Sequence, residues 1–100
     1  MQHVRKPVVQ SYVLRVASGA VTGVKMGRLT IREAEKLVFN LDMLLLCTEH
    51  LKDQRLADII SYGMELEDTE ELVNKRAVVE ACEEIEQLIS QFIQRHKKVA

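Results

Sequence analysis

Cys47 and His50 stand three residues apart, a spacing that puts a thiol and an imidazole on one helical face and could supply two ligands to a zinc ion. A structural zinc site needs about four ligands, and the other histidines, His3 and His96, lie near the chain ends. The expected roles are therefore a core thiol and a half-exposed imidazole. Cys47 and Cys82 sit in strongly apolar stretches that do not favour a thiolate, and no serine occupies a Gly-x-Ser-x-Gly elbow. Carboxylates crowd Glu65, Glu67, Asp68, Glu70 and Glu71, but without the Asp/Asn alternation and central glycine of a calcium loop. They read as a solvated connector with a helix cap. Gly19, Gly23 and Gly27 recur every four residues and lack the spacing of phosphate-cradling loops. No catalytic residue, cofactor or metal is expected, and the chain reads as a non-enzyme.

Composition narrows the partners. The chain has 100 residues, 47% hydrophobic and 29% charged, which is too apolar for a disordered protein and suits one domain. Net charge is −1 and there are two Tyr, two Phe and no Trp, so nucleic acid is not an expected partner. A helix-turn-helix within residues 31–62 would offer only Gln54, Arg55, Ser61 and Tyr62 as contacts. No apolar run approaches the roughly 20 residues of a spanning helix, so no membrane role is expected. The two cysteines, without secretory context, point to free thiols in the cytoplasm.

Charge is distributed unevenly. Residues 1–32 carry Arg5, Lys6, Arg15, Lys25, Arg28 and Arg32 and no acid, whereas residues 65–86 carry nine acids against Lys75 and Arg76. The two regions are expected to face each other, inside the fold or across a dimer.

The elements that must hold these groups are all helical. Residues 8–26 place Gln10, Ser11, Arg15, Ser18, Thr22 and Lys25 on one arc, with Val13, Val16, Ala17, Ala20 and Val24 elsewhere; Pro7 suits a first turn. Gly19 and Gly23 would let a neighbouring helix approach, and Gly27 would stop the helix in a left-handed turn. Thr30 and Glu33 form a capping box before Ile31, Ala34, Leu37, Val38 and Leu41. Asn40 and Asp42 end this helix and cap another. The apolar run Met43–Cys47 reads as central core. Asp53 caps a short helix that Gly63 stops, and Asp68 with Glu71 has the spacing of a further capping box. The last helix, from about 70 or 75 to about 97, buries Val78, Cys82, Ile85, Leu88, Ile89, Phe92 and Ile93. Its Glu80 and Glu84 repel mildly at i,i+4, so either the basic first helix or a partner should relieve them. The expected fold is all-α: a small bundle of four main helices plus a short connecting helical turn, a single domain over 1–100 with frayed ends at 1–7 and 97–100.

Two segments carry a resemblance. Gly27–Phe39, with its glycine, helix cap, Glu-Ala-Glu and Leu-x-Phe ending, and Gly63–Asp68, a Gly-x-Glu-Leu-Glu-Asp segment followed by Leu72, resemble an uncharacterised family of small bacterial helical proteins. The resemblance covers about residues 14–95. It implies a helical fold and a bacterial, cytoplasmic setting, and no activity. It singles out Glu65, Leu66, Glu67 and Asp68, as a helix cap with an apolar anchor or as a docking surface for a basic partner. The Phe39-Asn40-Leu41 continuation departs from the family pattern, which has proline near there, and leaves the helix break after Phe39 open.

The functional expectation is a protein–protein interaction module that binds a protein partner or itself as a homodimer. Leu44, Leu45, Leu46, Val8, Val79 and Ile93 exceed what one core of this size should bury. The alternative is a small regulator or immunity-type protein that covers a basic partner surface with its acidic 65–86 region. In either case the expected partner-binding residues are Glu65, Glu67, Asp68, Glu80 and Glu84.

Overall fold

The computed structural model describes residues 5–98. Of the segments expected to fray, residues 1–4 and 99–100 lie outside the described residues, as do the side chains of residues 96–98. The fold is the expected all-α bundle, more finely divided than the sequence suggests. It comprises α1 (Lys6–Lys25), α2 (Ile31–Leu37), α3 (Leu41–Leu45), a π-helical turn (Leu46–His50), α4 (Gln54–Met64), α5 (Leu66–Leu72) and α6 (Lys75–Lys98). No strand occurs among the described residues.

The two long helices, α1 and α6, form the largest helix–helix contact, and α4 packs on both. Val13, Ala17 and Val21 of α1, Leu56, Ile59 and Ile60 of α4, and Val78, Cys82, Ile85, Ile89 and Phe92 of α6 make one buried core. Each set follows helical spacing, which is why these sequences wind as they do. Of the stripe expected on α6, Leu88 is half-buried and Ile93 exposed, because they flank the buried row.

Local signals explain most boundaries. Pro7 lies in the first turn of α1, and Gly27 adopts φ +77° just beyond its end, where Arg28 N–H donates to the Gly23 carbonyl at 2.8 Å. Thr30 Oγ1 accepts from Glu33 N–H at 3.0 Å while Glu33 Oε1 accepts from Thr30 N–H at 2.8 Å. The helix break comes earlier than Phe39: α2 ends at Leu37, and Asn40 Oδ1 accepts from Met43 N–H to start α3 anew. Asp53 Oδ1 accepts from Arg55 and Leu56 N–H at the start of α4.

Four expectations are corrected. Met43–Cys47 is not central core: Met43, Leu44 and Leu46 are half-buried, Leu45 is exposed, and only Cys47 is fully buried. Five apolar residues in a row cover every side of a helix, and α3 packs chiefly on α4 and the π turn, so one side must face outward. Gly63 does not stop α4, which continues to Met64; it sits inside the helix because the Phe39 ring occupies the space a Cβ would need. Gly19 is exposed with no neighbour near its missing Cβ, whereas Gly23 meets Leu29 of its own following loop rather than another helix. Asp68 does not cap α6. It lies within α5, and Asn74 Oδ1 accepts from Ala77 N–H at 2.8 Å instead. Asn74 has alanine rather than Glu or Gln three residues on, so its cap lacks the capping-box pattern.

Candidate docking groove

Beside its buried stripe, α6 carries a second row: Ala77, Ala81, Glu84, Leu88, Gln91 and Arg95, spaced alternately by four and three. Such spacing keeps one line of side chains on one side of a helix. From Ala77 to Gln91 the row lines a groove of about 610 Å³ whose other wall is the end of α4 and the start of α5, with Tyr62, Glu65 and Thr69. Tyr62 is 49% exposed there. Glu65 sits at the junction of α4 and α5, where the Thr69 hydroxyl donates to its carbonyl at 3.0 Å. A smaller cavity of about 210 Å³ shares Tyr62, Leu88 and Gln91 with the groove and continues it towards Arg55, Asp58 and Arg95. Arg55, Asp58 and Tyr62 line it because residues i, i+3 and i+7 fall on one face of α4. The Arg55 guanidinium carbon lies 5.0 Å above the buried Phe92 ring, a cation–π arrangement.

The resulting trough has two electrical ends. Glu65, Glu80 and Glu84 line one, with no basic side chain among its lining residues. Arg55 and Arg95, with Asp58, line the other. Among the described residues the one ion pair lies elsewhere: Lys25 Nζ meets Glu86 Oε1 at 2.8 Å, and the Thr22 hydroxyl donates to Glu86 Oε2 at 2.8 Å. These two bonds hold the Glu86 carboxyl below its ordinary range, and the Glu86 bond raises Lys25. The basic first helix thus meets the acidic region inside the fold at Glu86, and Glu80 and Glu84 have no ion pair among the described residues.

The five residues expected at a partner site are therefore split. Glu65, Glu80 and Glu84 share the groove, but Glu67 and Asp68 belong to another face of α5. Their charges act on Glu35 of α2, whose carboxyl is pushed up mainly by burial and then by Glu67, against the lowering influence of Arg32, with Asp68 adding a smaller rise. Tyr62 and the glutamines 87 and 91 were not among the expected site residues. The alternating row from Ala77 to Arg95 was the signal that could have found the groove, hidden by its small and polar members. Of the apolar residues expected to exceed the core, Val8, Leu45, Val79 and Ile93 are exposed, Leu44 and Leu46 are half-buried, and none lines the trough.

The thiol chemistry is equally plain. Cys47 and Cys82 are free and buried, and burial pushes both thiols up to about 11, helped by Asp53 at Cys47 and by Glu86 at Cys82. His50 is exposed while Cys47 is fully buried. His3 and the side chain of His96 lie outside the described residues. Among the described residues no three His, Cys, Asp or Glu side chains gather as a metal site, and no helix is long and apolar enough to cross a membrane.

Residues 4–100 match the family model described as "Protein of unknown function (DUF3969)". No curated protein and no solved structure matches the chain.

Proposed function

Because the chain belongs to this DUF3969 family, whose description carries no activity, we propose from its own geometry that it is a non-catalytic protein-interaction module docking through the trough along α6. The observation that carries this reading is an apolar floor (Ala77, Ala81, Ile85, Leu88) walled by three carboxylates, with no cation among the described lining residues. Such a surface suits a helix of another protein chain with small or apolar contacts along its centre and positive charge over Glu65, Glu80 and Glu84. Burial of both thiols, which keeps them protonated at neutral pH, supports a non-catalytic role; their free state supports a reducing, cytoplasmic location. The bacterial setting belongs to the same reading and rests on the resemblance alone. The unpaired carboxylates also favour a second reading, a small regulator that covers a basic partner surface.

The test is capture by the tagged protein at low and high salt, with Glu80→Lys/Glu84→Lys as the comparison. The expected result is a partner, another protein or an untagged copy of the chain, that high salt and the double variant both release. An identical retained set from the wild type and a folded double variant overturns the proposal.

A further inference from the structure

We propose that the occupant of the trough is α6 of a second copy of this chain, running antiparallel about a two-fold axis near residues 87 and 88. This rests on the docking reading above and goes beyond it by naming the partner. Three features of the trough point to the same occupant.

The first is its spacing. The alternating row from Ala77 to Arg95 is the pattern by which one helix keeps a seam against another. At about 1.5 Å per residue the row is about 27 Å long, within the 41 Å long axis of the protein. The second is charge. Along the trough α6 presents Glu80 and Glu84 towards one end and Arg95 towards the other, and these charges complement themselves only when the copies run in opposite directions. With Glu84 placed across from Gln91 of the partner subunit, Glu80 falls across from Arg95 of the partner subunit, and symmetry repeats both pairs. The third is volume. Ala77 and Ala81, at the acidic end, leave room for the larger side chains of the opposing basic end. A two-fold pairing also closes on itself and leaves no free end to propagate a filament. Docking of the exposed basic face of α1 into the groove would instead be head-to-tail.

Sedimentation equilibrium of the full chain, from micromolar to near-millimolar concentration, tests the pairing with Glu80→Lys, Arg95→Glu and the two combined. Circular dichroism checks that each variant keeps its helix content. The wild type is expected to dimerise, each single variant to weaken dimerisation about tenfold or more, and the combined swap to restore most of it. A strictly monomeric wild type, a dimer indifferent to both single changes, or a swap that fails to restore association overturns the proposal. A monomer whose tagged form still captures a different protein through Glu80 and Glu84 overturns self-pairing alone. A monomer that captures nothing by that route overturns the docking reading as well.

Discussion

The two faces that flank the buried stripe of α6 treat charge in opposite ways. On the side that meets α1, Glu86 accepts from both Lys25 and Thr22, and its charge is answered inside the fold. On the side that meets α4 and α5, Glu80 and Glu84 stand over an apolar floor with no cation among the described lining residues of the groove. One helix therefore carries two kinds of acidic row: one ties the bundle together, and the other has no ion pair among the described residues. Sequence alone lumps these carboxylates into one acidic region, but roughly 100° of helical rotation per residue separates them. The comparison teaches that an acid-rich helix has to be read row by row.

Substitution of neighbours on the same helix should sharpen this contrast most. Ile89→Ala, in the buried stripe, is expected to cost about 2–5 kcal/mol of stability by urea unfolding. Leu88→Ala, one residue away in the trough, should cost less than half of that in dilute solution, since Leu88 is only half-buried. Equal losses would break the distinction between core and docking face. Next in size is Gly63→Ala, which forces the Phe39 ring off α4 beside the groove wall and should cost about 1–3 kcal/mol. A neutral result would mean that the α4 wall yields easily.

The acid-dependent effect should be smaller. Glu86 has its carboxyl held below the ordinary carboxylate range by its bonds to Lys25 and Thr22, so these bonds stabilise the fold above that range. That contribution is lost as pH falls through the lowered folded value. Glu86→Gln should lower the Tm slightly at neutral pH and flatten the loss on acidification. Glu35 has the opposite sign. Its carboxyl is raised by burial, so ionisation opposes folding as pH rises past the ordinary carboxylate range. Glu35→Gln is therefore expected to raise the Tm slightly at neutral pH. A pH titration of thermal unfolding across the acid range checks both variants.

Much of the fold was legible because its signals are local. Thr30 with Glu33, Asn40, Asp53 and Gly27 mark helix ends through bonds or angles that span a few residues. The buried row of α6 follows from spacing alone. The misreadings arise where a residue's role depends on a distant neighbour. Gly63 looks like a stop signal until Phe39, distant in sequence, is seen to pack on it. Met43–Cys47 looks central until the scarcity of neighbours around α3 is known. Asn74 caps α6 without the pattern that draws the eye, and Asp68, which has the pattern, is spent inside α5.

The amino-acid sequence by itself determined the helices, their caps, the buried stripes and the uneven charge, because hydrogen bonding and periodicity act along the chain within one or two turns. Tertiary structure alone decided which carboxylates share a surface. It brought Glu65 from the α4–α5 junction to Glu80 and Glu84 on α6, turned Glu67 and Asp68 towards α2, and gave Glu86 to α1. The reason is physical: packing one apolar stripe against its neighbours sets the rotation of every helix, and that rotation assigns each remaining side chain to a bond, a groove or water.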